Sequence, residues 1–207
     1  MFETALAYPK AGAGAPKRIA LGGVLVLFSF LIVPLILLQG YYLRVLGSSF
    51  GGEPTPPSFE DWRTLFADGV KAFAVVFAYT LLPSTCLFLA ALVGGDGGGG
   101  FAVLGTGILI VSLLLYAVVS YVAPIGLVAL ARTGSMGASL DRAEIAPVAR
   151  SGMYLRGWLL AALVFVVGSV VAAMASVLLL GVFVFFYANV AASYLVGRGV
   201  ANAQPGV

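Results

Sequence analysis

The fold class is decided by residues 157–197, which read GWLLAALVFVVGSVVAAMASVLLLGVFVFFYANVAASYLVG and contain no Asp, Glu, Lys or Arg. About 20 apolar residues make one α-helix long enough to cross a hydrocarbon core of about 30 Å. This run is roughly twice that length. We therefore predict two membrane-spanning helices, joined between Ala175 and Gly181.

Three further apolar stretches precede this one. Residues 70–93 and 101–131 predict a transmembrane hairpin around the glycine run at 94–100. Residues 19–43 are long enough for one tilted crossing, but Pro34 near their middle removes a backbone donor and predicts a break there. A re-entrant hairpin is the alternative for this segment.

The composition supports the same class. Hydrophobic residues make up 61% of the chain and charged residues 9%, whereas soluble domains carry roughly a quarter charged residues. We predict an all-α fold, a polytopic membrane helix bundle that forms a single domain over residues 1–207. It has four to six membrane-embedded helices, some of them re-entrant, and two interfacial amphipathic helices.

The polar segments between the apolar runs are predicted to lie at the membrane surface. Residues 1–18 form an N-terminal interfacial segment, and residues 198–207 form a tail. Residues 44–69 combine a loop with an amphipathic helix that starts at Ser58, since a hydroxyl cap is followed by the acids Glu60 and Asp61. A second interfacial stretch covers residues 132–156, with an interruption near Pro147.

The distribution of Lys and Arg bears on the topology. Five simple crossings with a cytoplasmic N-terminus would leave most basic residues outside, which inverts the positive-inside rule. The opposite orientation would export the most basic terminus. If residues 19–43 enter and return, every Lys and Arg falls on the cytoplasmic side. We favour that arrangement, in which two half-depth helices are shielded by protein.

The residue types exclude several classes of chemistry. The chain has no histidine and one cysteine, Cys86, so imidazole catalysis and a thiolate metal site are excluded. The eight acids all lie outside the apolar cores. We therefore expect no catalytic, cofactor-binding or metal-binding residues, and a protein that is not an enzyme. Because the basic residues flank apolar segments, we expect them to contact lipid headgroups rather than nucleic acid.

Two small groups of side chains are candidate functional positions. Glu60, Asp61, Trp62 and Arg63 combine charge with an aromatic anchor, so they form a candidate surface for docking a partner. Asp68 and Lys71 are one helical turn apart, and this spacing predicts a local structural ion pair.

Several short motifs together resemble an uncharacterised multi-pass membrane family known as domain of unknown function 4013, which is frequent in archaea. They are Tyr8-Pro9, Gly40-Tyr41 with Arg44, Glu60-Asp61-Trp62, Leu65-Phe66, Asp68-Gly69 with Lys71, Gly134-Ser135-Met136-Gly137-Ala138, Phe186-Tyr187-Ala188 and Gly197-Arg198. The resemblance covers almost the whole chain. It implies an archaeal or bacterial multi-pass protein of the cell membrane, and it supplies no catalytic residues.

Two functions fit these features best, and a membrane enzyme that acts on lipid is a third, less favoured hypothesis. The first is a non-enzymatic scaffold or accessory subunit of a membrane complex, whose partners are the lipid bilayer and either a second copy or another membrane protein. The second is a small-solute transporter or channel. Polar residues inside the apolar runs, such as Thr80, Ser84 and Asn189, would line a path in the second case and would bond neighbouring helices in the first.

Overall fold

The computed structural model describes residues 2–94, 99–176 and 180–204. These residues contain eight α-helices and no β-strand, which confirms the all-α prediction. The helices are α1 (Phe2–Ala7), α2 (Ala15–Leu27), α3 (Ile32–Gly51), α4 (Trp62–Gly94), α5 (Gly100–Thr133), α6 (Arg142–Ala149), α7 (Gly152–Ala175) and α8 (Gly181–Ala203).

Five of these helices, α3, α4, α5, α7 and α8, are long and apolar enough to cross a membrane. The shorter helix α2 has 13 residues, which at about 1.5 Å per residue is too short for a full crossing. The predicted division of residues 157–197 agrees with the bounds of α7 and α8. Most of the glycine run at 94–100, residues 95–98, lies outside the described residues.

Six of the helices form three hairpins, α2–α3, α4–α5 and α7–α8. Helices α2, α4 and α7 end, and α3, α5 and α8 begin, at one end of the bundle, and the longer connections at 52–61 and 134–151 lie at the other. Gly12 approaches Thr55 at this second end, and Arg132 donates there to the side chain of Gln204 at 2.9 Å, whereas Phe2 lies farther along the bundle beside Val171 and Val184. We call this second end the polar end, because the basic residues from Lys17 to Arg198 lie in or beside it.

The first apolar segment turns three to six residues before Pro34. Helix α2 ends at Leu27 and α3 begins at Ile32, so the turn occupies residues 28–31. Pro34 lies in the first turn of α3, where a missing backbone donor costs nothing because that turn has no acceptor for it. The break predicted near Pro34 therefore lies just before that residue, and a hairpin does form from this segment.

The surface helix predicted to start at Ser58 is not a separate element. The helix begins at Trp62 and continues as α4 to Gly94. Asp61 provides the cap, since its carboxylate accepts from the backbone N–H of Thr64 at 3.3 Å. The second predicted surface stretch contains α6, an eight-residue helix that Asp141 caps through the N–H of Ala143 at 2.8 Å.

Helices α3 and α8 form the centre of the bundle. Their most apolar windows are 44% buried inside the protein, against 17% for α4, 11% for α5 and 17% for α7. The outer helices expose large apolar side chains such as Leu92, Phe101 and Val103. In a bilayer this surface contacts lipid tails, so a soluble fold is excluded by the amount of apolar side chain left uncovered.

The N-terminal segment packs along α8. The Tyr8 ring lies against that of Tyr194, with centroids 4.4 Å apart, and Tyr187 donates a hydrogen bond to the carbonyl oxygen of Leu6. Phe2 and Leu6 reach the apolar surface between α7 and α8. Residues 1–18 were predicted as an interfacial segment, and the described part of them covers one side of the bundle.

Candidate functional site

Two glycines let α3 and α4 cross at van der Waals contact. Gly40 faces the backbone of Leu65, and Gly69 faces the backbone of Ile36, so that a Cβ at either glycine would overlap a carbonyl oxygen of the other helix. Small residues at such crossings allow helix backbones to approach closely. This backbone contact fixes how close the side chains of α3 and α4 come to one another around the crossing.

Arg44 is placed by this crossing. It follows Gly40 by four residues and therefore lies on the same face of α3. Its Nε donates to the Asp68 carboxylate at 3.2 Å, and its Nη1 donates to the carbonyl oxygen of Glu60 at 2.9 Å. The Arg44 and Asp68 side chains are 22% and 27% exposed. Arg44 thus connects α3 both to α4 and to the connection that precedes α4.

This contact corrects the predicted ion pair between Asp68 and Lys71. Within residues 2–94, 99–176 and 180–204, the carboxylate of Asp68 pairs with Arg44. Lys71 turns towards the end of α5 and donates to the carbonyl oxygen of Gly134 at 3.4 Å. The planar guanidinium can bridge two acceptors at once, which a lysine ammonium on a flexible stem does less well.

The same residues line a pocket at the polar end, between α3, α4 and α5. Its volume is about 330 Å³. Its charged and polar lining comes from Arg44, Ser48, Asp68 and Lys71, and its apolar floor includes Leu43 and Leu130. The two positive charges outnumber the single carboxylate, so the pocket carries a net charge of about +1 at neutral pH.

Residues 53–61, which connect α3 to α4 and which we call the strap, are fixed to the bundle by side-chain contacts. Tyr41 donates a hydrogen bond to the Pro57 carbonyl at 3.3 Å, and Tyr8 donates to the Thr55 carbonyl at 3.2 Å. The Phe59 ring stacks on Tyr41, with centroids 4.0 Å apart and an angle of 7° between the planes. The strap therefore has a defined path over the bundle.

The predicted docking residues lie where the strap enters α4. The side chains of Glu60, Asp61, Trp62 and Arg63 are all exposed. Their backbone is fixed from two sides, because Arg44 binds the Glu60 carbonyl and the Trp62 ring lies 6.0 Å from the stacked ring of Phe59. We call these four residues the acidic corner.

The acidic corner has one group whose ionisation is shifted by its surroundings. The Thr64 hydroxyl and then the Thr64 backbone N–H hydrogen-bond the carboxylate of Asp61, and both contacts hold its pKa below the usual value. Asp61 also has a positive φ of 53°, a conformation that Asp adopts more readily than most residues. Its carboxylate stays charged at neutral pH and caps the helix.

The polar side chains inside the membrane-embedded helices mostly bond backbone carbonyls. Thr80 donates to Val76 at 2.9 Å, Thr85 to Leu81 at 2.8 Å and Asn189 to Phe185 at 2.9 Å, each within its own helix. Ser84 bonds Tyr116 across the α4–α5 hairpin at 2.7 Å. These contacts satisfy polar groups where water is absent and join neighbouring helices.

The role of Arg44 was missed in the sequence. Its partner Asp68 is 24 residues away, and pairing at that distance depends on the angle at which α3 and α4 cross. The sequence did contain a signal for this pairing. Gly40 and Arg44 share one face of α3, and Leu65, Asp68 and Gly69 are spaced to share one face of α4. Among the described residues there is no group of three His, Cys, Asp or Glu side chains that could hold a metal ion.

The helix hairpins and the site at their polar end define the class: this is a polytopic α-helical protein of the membrane. Within that class, the chain belongs to the family described as Protein of unknown function (DUF4013), whose model matches residues 24–196. The matched range contains the α3–α4 crossing, the strap, the acidic corner and the pocket. No curated protein and no solved structure matches the chain.

Proposed function

We propose that this protein is a non-enzymatic scaffold or accessory subunit of a complex in the cell membrane, and that the acidic corner is its contact with the partner. The observation that carries the proposal is the combination of four exposed side chains with a backbone fixed by Arg44 and by the stacked ring of Phe59. A surface that is already ordered loses little conformational entropy when it binds.

The chemistry of the acidic corner indicates the kind of surface it fits. Trp62 is 44% exposed, and an exposed Trp beside charged groups is a typical energetic centre of a protein interface. Glu60 and Asp61 outnumber Arg63, so the corner carries a net charge of about −1. A basic, partly apolar surface next to the membrane complements it.

The alternative is a small-solute transporter or channel. It requires polar groups that face a common path, and the hydrogen bonds of Thr80, Thr85 and Asn189 to carbonyls of their own helices favour a structural use of those groups. The pocket at the polar end is the one feature that supports the alternative, because it brings charged side chains to the boundary of the apolar helices.

The proposal is tested by photo-crosslinking in the membranes of the native host. A benzophenone amino acid replaces Trp62 in one variant and Phe101, an exposed residue at the opposite end of the bundle, in the control. We expect one discrete crosslinked protein with the Trp62 variant and none with the Phe101 variant. The same partner should co-purify in stoichiometric amount with the wild-type chain and be reduced when Glu60→Lys reverses one charge of the corner.

Two results together would reject the scaffold function. They are the absence of a crosslinked protein at Trp62 in the native host, and saturable uptake of a solute by liposomes that contain only this chain. The uptake would establish the transporter, and a Lys71→Gln variant would then show whether the pocket takes part in it.

A further inference from the structure

The pocket at the polar end has the features of a binding site for a phosphate group. Among the described residues, the exposed Lys71 ammonium donates one hydrogen bond, to the Gly134 carbonyl at 3.4 Å, so it retains most of its donor capacity. Arg44 uses Nε and Nη1 in bonds to the protein, and a guanidinium has five donors. Ser48 adds a hydroxyl to the lining.

The position of the pocket identifies the source of the phosphate. Its floor, Leu43 and Leu130, belongs to a buried apolar cluster together with Ala72 and Val75. Above this apolar floor the pocket is lined by the polar side chains of Arg44, Ser48 and Lys71, at the level where the apolar part of α4 begins. Phospholipid headgroups occupy this boundary between hydrocarbon and water.

From these observations we infer that the pocket between α3, α4 and α5 binds the phosphodiester headgroup of an anionic membrane phospholipid, with Lys71 and Arg44 as the charged contacts and Leu43 and Leu130 against the glycerol end. This site shares Arg44 with the acidic corner, but its other lining residues are different and the inference does not depend on the scaffold function.

The charges of the pocket explain a preference for anionic over zwitterionic lipids. Asp68 holds Arg44 in place and neutralises part of its charge, which leaves one uncompensated positive charge. A headgroup with a net negative charge gains from it, whereas the trimethylammonium of phosphatidylcholine would add a positive charge beside Lys71. Charge-assisted contacts between Lys or Arg and phosphate are among the stronger hydrogen bonds in proteins.

The test uses the full chain in a mild neutral detergent and measures its thermal unfolding midpoint. The probes are short-chain phosphatidylglycerol, short-chain phosphatidylcholine and inorganic phosphate at matched ionic strength. We expect a saturable rise in the midpoint with phosphatidylglycerol, because a ligand that binds only the folded state stabilises it. Lys71→Gln should weaken the apparent affinity about tenfold, from the loss of one charged contact.

Two more variants make the result specific to the pocket. Ser48→Leu fills the pocket without changing any charge and should weaken phosphatidylglycerol binding as well. Arg156→Gln removes an exposed charge on α7 that does not line the pocket, and it should leave the affinity within about twofold of wild type.

Three outcomes would overturn the assignment. Wild-type affinity in both Lys71→Gln and Ser48→Leu would mean that the lipid binds elsewhere. An equal loss in Arg156→Gln would indicate general attraction to the basic end of the bundle. Equal stabilisation by inorganic phosphate would assign the site to a free anion and reject the lipid.

Discussion

Replacement of Gly69 with alanine is the sharpest test of the α3–α4 crossing. A Cβ on residue 69 would overlap the carbonyl oxygen of Ile36 and would lie 2.8 Å from the Ile36 carbonyl carbon and 2.9 Å from its Cγ2. Two of these three atoms belong to the backbone of α3, which cannot rotate away as a flexible side chain can. The helices must separate, and the Arg44 bonds to Asp68 and Glu60 lengthen with them.

The expected cost follows from the kind of overlap. Adding a methyl group to a closely packed contact costs about 1–3 kcal/mol. For a chain of about 200 residues, each kcal/mol lowers the thermal midpoint by roughly 2–4 °C. We therefore expect the thermal midpoint of Gly69→Ala to be lower than that of wild type by roughly 2–4 °C for each kcal/mol of this cost.

The assay is thermal unfolding of the purified protein in detergent, followed by the combined fluorescence of Trp158 and of Trp62, which lies two turns before Gly69 on α4. The matched control is Gly107→Ala in α5, where a Cβ would meet nothing within 4 Å. That variant should be neutral or slightly stabilising, because Ala has the higher helix propensity. A wild-type midpoint for Gly69→Ala would refute the close crossing.

Three other substitutions or probes examine the same end of the bundle. A double-mutant cycle with Arg44→Gln and Asp68→Asn should give a coupling energy of about 0.5–1 kcal/mol in chemical unfolding, and zero coupling would mean that the two groups do not interact. The lowered pKa of Asp61 means that its charged form contributes stability above the pKa of the unfolded chain, and that this contribution is lost as the pH falls through the lower folded pKa. Midpoints recorded from pH 7 to below about pH 4 should therefore fall more for wild type than for Asp61→Asn, and parallel curves would contradict this. In a cysteine-free background, single cysteines at Thr55 and Gly100 should react with a membrane-impermeant thiol reagent from opposite sides of the membrane, and labelling of both from one side would contradict the hairpin topology.

The sequence predicted the parts of the fold that depend on local length and hydropathy. The pair α7–α8 was predicted because the uncharged run is twice the length of one crossing, and in the structure α7 ends at Ala175 and α8 begins at Gly181, the predicted limits. The exact residues of the turn, 28–31, were not predicted because they include no glycine or proline, whereas Pro34 lies at a position where the helix tolerates it.

The sequence identified Asp68 and Lys71 as residues of the candidate site, but it did not predict that Asp68 pairs with Arg44. Asp68 and Lys71 were predicted to pair because they are one helical turn apart. A charged side chain can also pair with a residue of a neighbouring helix. Arg44 competes successfully for Asp68 because Gly40 and Gly69 bring its helix within contact distance. That closeness is a tertiary property, and glycines in two apolar helices do not reveal which pair of them will meet.

Arg44 takes part in both proposals, and this determines which substitutions can separate them. Its Nη1 fixes the Glu60 carbonyl at the acidic corner, and its side chain also lines the pocket. A substitution of Arg44 would therefore weaken partner docking and lipid binding together, and neither loss would identify the site responsible. Lys71 lines the pocket and bonds Gly134, and Trp62 belongs to the corner without lining the pocket. Loss of lipid binding with docking intact in Lys71→Gln, and the reverse in Trp62→Ala, would assign each function to its own surface.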